Sequence, residues 1–259
     1  MGVVNVTPDS FSDGGEFLDP EAAIAHGTQL VAEGAHILDI GGESTRPGAQ
    51  PVTAAEELSR VMPVIEGLAD AEAEISIDTT KVEVARRAVA AGASIVNDVS
   101  AFRFEPEIAE VVAEVGVHCC LMHMLGEPRT MQDDPRYDDV VADVKAFLEE
   151  RMAFAVAAGV PEERIWLDPG VGFGKTLEHN LELLRRLDEI VALGRPVVIG
   201  TSRKSFLGKL TGRPERERLP GTIATNVVAL ERGARIFRVH DVAEVAEALM
   251  VAGATLGRT

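Results

Sequence analysis

The chain alternates from end to end between short apolar runs and longer amphipathic segments rich in alanine. The short runs have the length and composition of buried strands: Gly2–Val6, His36–Ile40, Glu74–Ile77, Ser94–Asn97, Val117–Met122, Ile165–Leu167, Pro196–Ile199 and Arg235–Val239. The longer segments predict helices: Pro20–Glu33, Thr53–Ala69, Val82–Ala91, Pro106–Val115, Tyr137–Ala158, Leu177–Leu187, Leu219–Arg232 and Val242–Leu256. Continuous apolar strands separated by helices are typical of parallel sheets that are covered on both faces.

This alternation predicts an α/β fold with a closed, eight-stranded parallel sheet. Glycine follows several of the predicted helices, as in Gly34-Ala35 and Gly92-Ala93, where it supplies a left-handed cap before the next strand. Eight β–α units in 259 residues fit a (β/α)8 TIM barrel, with residues 1–259 as a single domain. The alternative is an open doubly wound sheet, but the first strand-to-helix turn lacks the glycine fingerprint of that fold.

Composition limits the partners that the protein can bind. The net charge of −17 argues against nucleic acid, which needs a basic face. It also means that an anionic substrate needs local cations or a metal ion against the overall field. We expect no membrane partner and a cytoplasmic location, because apolar runs are too short to span a bilayer and the adjacent Cys119-Cys120 pair is typical of reduced core thiols.

The loop after the second strand combines many functional groups in one short stretch. It reads Asp39-Ile-Gly-Gly-Glu-Ser-Thr-Arg-Pro-Gly48. Glycines allow the backbone to approach a ligand, hydroxyls donate hydrogen bonds, and Arg46 can form paired hydrogen bonds with phosphate or carboxylate. The loop therefore predicts an anion-binding role, although a solvated turn explains a single loop of this kind equally well.

Polar groups follow every predicted strand, where the reaction centre of a (β/α)8 barrel lies. One set suits a flat heterocycle with amino, ring-nitrogen and oxo groups, because carboxylates accept paired N–H bonds and an amide both donates and accepts; it comprises Asp78, Asn97, Asp168 and Lys204. A second set suits a diphosphate with Mg²⁺, since it joins cations to a neutral oxygen ligand; it comprises Asn5, Arg46, Arg238 and His240. The two sets predict neighbouring subsites.

Several residues allow other interpretations. Pro169–Thr176 resembles a phosphate-binding P-loop but has Pro169 where the first glycine is required. Lys204 could form a Schiff base, as in barrel aldolases, or act as a simple cationic donor. His118 and His123 lack a third metal ligand at suitable spacing, which favours packing. Met122 and Met124 are predicted to be apolar contacts for a ring.

The motifs together resemble the dihydropteroate synthase family of folate biosynthesis over essentially the whole chain. Two signature loops carry the resemblance, Val4–Gly15 and Gly41–Gly48. Shorter matching motifs follow in order: Ser76–Thr79, Asn97-Asp98, Met122–Met124, Asp168–Gly170, Ser202–Lys204 and Arg238–Asp241.

The resemblance implies a (β/α)8 barrel, usually a homodimer, that joins 6-hydroxymethyl-7,8-dihydropterin diphosphate to p-aminobenzoate and releases diphosphate. It implies that the pterin contacts Asp78, Asn97, Met122, Asp168, Gly200 and Lys204. It implies that Arg238, Val239 and His240 bind diphosphate, and that Asn5 binds Mg²⁺. It implies a p-aminobenzoate pocket made by Thr45, Arg46, Pro47, Phe173, Ser202 and Lys204. It implies catalytic roles for Asp39, Thr45, Arg46, Asp168 and Lys204, with Asp39 ordering the first two loops.

The resemblance also has departures and rivals. Relatives usually carry residues before the first strand that close the bottom of the barrel. No insertion interrupts Ser205–Gly208, unlike in sulfonamide-resistant relatives, so we expect inhibition by sulfonamides. The rivals are a pterin-dependent methyltransferase, which does not need Arg46, Arg238 and His240 together, and an inactive pterin-binding paralogue, in which part of the loop at Ser44–Pro47 should be lost.

Overall fold

The structure is a computed structural model that describes residues 1–7, 19–46 and 48–257. A closed parallel barrel forms the centre of the molecule. Its strands are β1 (Gly2–Asn5), β2 (Ile37–Gly41), β3 (Glu74–Asp78), β4 (Ile95–Asp98), β5 (His118–Met122), β6 (Ile165–Asp168), β7 (Val198–Ile199) and β8 (Ile236–Phe237). Strands β1 to β6 pair in chain order, and β7 pairs with β8, always in parallel.

Two short stretches of pairing close the barrel. Leu167 of β6 is bridged to Val197, just before β7, and Gly2 of β1 is bridged to Val239, just after β8. The amide of Val3 donates to the carbonyl of Val239 at 3.0 Å, and the amide of Val239 donates to the carbonyl of Met1 at 2.9 Å. The predicted (β/α)8 barrel is therefore confirmed.

Ten α-helices surround the strands in the described part of the chain. They are α1 (Pro20–Ala32), α2 (Ala54–Gly67), α3 (Val82–Ala90), α4 (Ile108–Val115), α5 (Val140–Ala157), α6 (Leu177–Arg185), α7 (Leu187–Val191), α8 (Ser205–Thr211), α9 (Leu219–Glu231) and α10 (Val242–Thr255). Eight of them were predicted. The short helices α7 and α8 were not.

Side chains alternate between the two faces of each strand, as the pleat requires. Outward-facing residues such as Leu38, Ile40 and Ile77 are fully buried in the main core, between the barrel and the helices. Inside the barrel, Cys120, Trp166 and Val198 belong to a separate apolar cluster. Polar side chains fill the barrel towards the carboxyl ends of the strands, and this layer positions the candidate site.

Two further expectations from the sequence concern membrane-spanning helices and the state of the two cysteines. No described helix is long and apolar enough to cross a membrane. Cys119 and Cys120 are both buried free thiols, and burial raises the pKa of each, which keeps them protonated.

Candidate active site

A buried carboxylate organises the polar layer of the barrel. The register places Asp39 of β2 beside Ser76 of β3. Asp39 is fully buried and accepts a hydrogen bond from Ser76 Oγ at 2.6 Å, one from Asn97 Nδ2 at 3.2 Å and one from Arg238 Nε at 2.6 Å. Asp39 therefore holds two residues of the predicted site, Asn97 and Arg238, in fixed orientations.

Arg238 connects the two subsites that the sequence predicts. Its Nη2 donates to Asp78 Oδ2 at 2.9 Å, while its Nε donates to Asp39. Both carboxylates raise the pKa of Arg238, so the guanidinium stays charged. Burial and the charge of Asp39 raise the pKa of Asp78 to about 7. Arg238, which was predicted to bind diphosphate, thus contacts Asp78, which was predicted to bind the pterin. The two subsites are therefore coupled rather than separate.

Asp168 lies at the end of β6 on the opposite wall of the pocket. It is 6% exposed, and its Oδ1 accepts the amide of Gly170 at 2.7 Å. Burial raises the pKa of Asp168, whereas the bond from Gly170 and the charges of Lys204 and Arg238 oppose this shift. The nearby cations favour the ionised form of Asp168, and an ionised carboxylate in the wall of the pocket can stabilise positive charge that develops there.

The pocket brings together most of the predicted pterin and aminobenzoate ligands. Its lining comprises Thr45, Asp78, Asn97, Val99, Met122, Asp168, Gly170, Val171, Phe173, Gly200, Ser202, Lys204, Arg238 and His240. Carboxylates and an amide lie at its floor, and Met122 and Val99 belong to one apolar cluster with Phe173 packed against it. This combination suits a flat ring with polar edges.

Lys204 and Phe173 form one wall of the pocket. The Lys204 ammonium lies 4.1 Å from the centre of the Phe173 ring, within cation–π range. Burial and the nearby charge of Arg238 lower the pKa of Lys204 to about 8. Lys204 therefore remains a cationic donor at neutral pH and loses its proton in mildly alkaline solution.

The mouth of the pocket is wider and rich in cations. It encloses about 570 Å³ and is lined by Asn5, Arg46 and Lys209, among others. At its edge, Ser202 Oγ lies 2.9 Å from His240 Nδ1. Burial and the charge of Arg238 lower the pKa of His240 to about 3, so this histidine is neutral in the free protein. Despite the net charge of −17, this local arrangement suits an anion.

Ion pairs support the loop that follows β2. The Lys81 ammonium bridges the carboxylates of Glu43 and the fully buried Glu57. Glu43 also accepts the amide of Val52 at 3.1 Å, which ties the two ends of the loop together. Between those ends lies Arg46, whose guanidinium is more than half exposed and pairs with Glu215 at 3.3 Å.

Several predicted residues lie elsewhere or outside the described part of the chain. The side chain of Val239 packs in the outer core and its amide is bonded to Met1, and its contact with diphosphate stays a prediction. The described contacts of Asp39 lie inside the barrel, beneath the loops that it was predicted to order. Pro47 and most of the first signature loop fall outside the described residues.

Asn5 is the predicted magnesium ligand. It ends β1 and lines the mouth of the pocket together with Arg238 and His240. Within residues 1–7, 19–46 and 48–257, no group of three or more His, Cys, Asp or Glu side chains could hold a metal ion.

The sequence predictions missed several residues that support the walls of the pocket. Ser76 was quoted only as part of a motif, yet it bonds Asp39. Lys175 was considered only for a P-loop, yet its ammonium is buried next to His123. Tyr137 and Gln132 bond the backbone of the loop that carries Phe173. The sequence offered one signal for these residues, which is the lysine at position 175 within a glycine-rich segment.

The fold and the site together define a class of protein. A (β/α)8 barrel whose strand ends hold buried carboxylates, an amide and clustered cations is built to bind a flat polar ring that carries an anionic group. The family model described as "Pterin binding enzyme" matches residues 1–240. The chain therefore belongs to the pterin-binding enzyme family.

Within this family, the chain is similar to proteins named dihydropteroate synthase. The chain is 49% identical over 257 residues to the dihydropteroate synthase of Escherichia coli K12, covering 99% of this chain and 91% of that protein. It superposes on the crystal structure of Yersinia pestis dihydropteroate synthase with a sulfonamide drug complex at a TM-score of 0.95, with 44% identity and coverage of 99% and 94%. For Xanthomonas albilineans dihydropteroate synthase with 4-aminobenzoic acid, the TM-score is 0.93, with 51% identity and coverage of 99% and 92%.

Proposed function

We propose that the protein is a dihydropteroate synthase that joins 6-hydroxymethyl-7,8-dihydropterin diphosphate to p-aminobenzoate. One observation carries the proposal: Asp78, Asn97, Asp168 and Lys204 line the same pocket as Arg238 and His240. The first four residues match the hydrogen-bonding edge of a pterin, and the last two adjoin the mouth, where the diphosphate would lie. Thr45, Phe173 and Ser202 line the same pocket and would contact the aminobenzoate.

The residues support a reaction in which the leaving group departs first. The bond between the pterin methylene carbon and the diphosphate oxygen breaks, and the oxygen keeps the electron pair. Arg238 stabilises the departing anion, and the Asp168 carboxylate stabilises the cationic methylene that remains. The aniline nitrogen of p-aminobenzoate then forms the carbon–nitrogen bond and loses a proton. Because that nitrogen is already a nucleophile, positioning and charge stabilisation supply the catalysis.

The donor set at the mouth fits Mg²⁺ bound together with diphosphate. Magnesium takes oxygen ligands, keeps several waters and needs few protein ligands in phosphate sites. Asn5 offers an amide oxygen in the cavity that also contains Arg238 and His240. When bound, the ion would neutralise negative charge on the diphosphate.

Three further proposals accompany this function. Residues 1–259 form one domain, since β1 and the end of β8 pair to close the barrel. The protein is cytoplasmic, where the buried thiols of Cys119 and Cys120 stay reduced. A homodimer stays a prediction, which sedimentation velocity of the purified protein checks.

Diphosphate release tests the proposed function. The wild type is mixed with the pterin diphosphate, Mg²⁺ and p-aminobenzoate, and release is followed continuously. We expect release that depends on p-aminobenzoate and falls by about 100-fold or more in Asp168→Asn. Asp188→Asn, on helix α7, is the matched control and should retain wild-type rates. Absence of release by the folded wild type would contradict the proposal.

A further inference from the structure

Three side chains hold the backbone of the loop after β6. Gln132 lines the mouth of the pocket, whereas Tyr137 and Asn180 line neither the pocket nor its mouth. Gln132 Nε2 donates to the carbonyl of Gly172 at 2.6 Å, and Tyr137 Oη donates to the carbonyl of Gly174 at 2.8 Å. The amide of Gly172 donates to Asn180 Oδ1 at 2.7 Å. These bonds fix the peptide groups on both sides of residue 173, whose side chain points the other way, into the pocket.

Lys175 supplies the remaining bond to this loop. Its ammonium donates to the carbonyl of Phe173 at 3.0 Å and lies 2.9 Å from His123 Nδ1. Lys175 is only 3% exposed, and burial lowers its pKa to about 7. Burial and the charge of Lys175 lower the pKa of His123 to about 2, so His123 is neutral and can accept from the ammonium. A buried cationic side chain is costly unless it is paired and hydrogen-bonded, and these two acceptors offset part of that cost.

The geometry in front of the loop shows what this bond can control. The Phe173 ring lies over the Lys204 ammonium at 4.1 Å. The loop also approaches Lys204 closely: a Cβ at Gly172 would lie 3.2 Å from Lys204 Cδ, and the φ of +85° at Gly172 is strained for any other residue. The position of the ring therefore depends on how the backbone is held from behind.

We propose that Lys175 is a positioning residue, because its ammonium links the carbonyl of Phe173 to His123. This link places the Phe173 ring next to Lys204 and so shapes the p-aminobenzoate side of the pocket. This inference rests on the proposed function. Lys175 itself touches neither substrate in this arrangement, since it is buried behind the loop and is absent from the lining of the pocket.

A double-mutant cycle between Lys175 and Phe173 tests the inference. Steady-state constants for both substrates are measured in the wild type, Lys175→Met, Phe173→Ala and the double variant. Wild-type turnover is established first, so that failure of the proposed function is seen separately. We expect Lys175→Met to raise the KM for p-aminobenzoate by about tenfold while the KM for the pterin diphosphate stays within about twofold. Lys145→Met, on helix α5, is the control and should change neither constant.

The decisive result is the coupling between the two substitutions. If Lys175 acts through Phe173, adding Lys175→Met to Phe173→Ala produces little further change in the KM for p-aminobenzoate. Independent effects that multiply, or equal loss for both substrates, would overturn the inference, because a purely structural role moves both. If Lys175→Met does not fold, Lys175→Gln, which is neutral and one atom shorter, replaces it in the same cycle with the same two outcomes.

Discussion

Replacing Asp39 by asparagine should weaken the site and the fold together. The side chain keeps its shape but loses its charge. It also keeps only one oxygen, whereas three donors now share its two: Ser76 at 2.6 Å, Asn97 at 3.2 Å and Arg238 at 2.6 Å. At least one donor therefore loses its acceptor, and the Arg238 guanidinium loses one of its two counter-charges.

The size of the effect follows from the burial of the pair. Removing one partner of a buried ion pair costs about 3–5 kcal/mol when the other charge is left uncompensated. Arg238 is 22% exposed at its side chain and keeps Asp78, so about half of this, ~2 kcal/mol, is expected for the free energy of unfolding. Because Arg238 and Asn97 then compete with Ser76 for a single oxygen, the orientation of the site is weakened and kcat/KM should fall by about 100-fold.

Two assays on purified Asp39→Asn measure these quantities. Guanidinium-induced unfolding gives the free energy of unfolding, and diphosphate release gives kcat/KM. Asp70→Asn, at an exposed position beyond helix α2, is the matched control and should change the free energy of unfolding by less than about 0.5 kcal/mol. If Asp39→Asn equals the wild type in both assays, the buried carboxylate does not hold the site together.

Three other predictions follow from single features. Because the pKa of Lys204 is lowered to about 8 and its charged form binds substrate, kcat/KM should fall as the pH rises above this value. If Lys204→Met keeps the same alkaline fall, another group is responsible for it. Sulfonamides should inhibit diphosphate release competitively with p-aminobenzoate, and turnover that is unaffected by high sulfonamide would refute this. Gly170→Ala should lower the free energy of unfolding by more than about 2 kcal/mol, because φ is +66° and the Cβ would lie 1.8 Å from the carbonyl oxygen of His123. Gly194→Ala, with a φ of +79° but open space, is its control and should cost about 1–2 kcal/mol.

The barrel was predictable because each strand carries its own signal. In the predicted strand His36–Ile40, the adjacent residues Leu38, Asp39 and Ile40 are fully buried, so both faces of the strand are covered. Such a strand can be recognised from its own residues, without information about the neighbouring strands. Helices α7 and α8 lacked such a signal. Helix α8 spans only Ser205–Thr211 and contains Gly208, and burial of Phe206 and Leu207 against the rest of the protein accounts for it.

The lining of the pocket was also predictable, since strand ends converge at one rim. What could not be predicted was which groups pair with each other. The contact between Arg238 and Asp78 joins residues 160 positions apart, and it depends on how the closed barrel brings β8 near β3. The contact of Lys175 with the carbonyl of Phe173 depends on the path of the loop after β6. Glycine residues in that loop allow many backbone conformations, so the path cannot be predicted from the sequence.

The most direct test of the proposed function is formation of the product itself. The purified wild type is incubated with the pterin diphosphate, Mg²⁺ and p-aminobenzoate, and the mixture is analysed by mass spectrometry. The account predicts that 7,8-dihydropteroate forms in an amount equal to the diphosphate released. It predicts no 7,8-dihydropteroate when p-aminobenzoate is omitted. Diphosphate released without dihydropteroate, or no reaction by the folded protein, would contradict it.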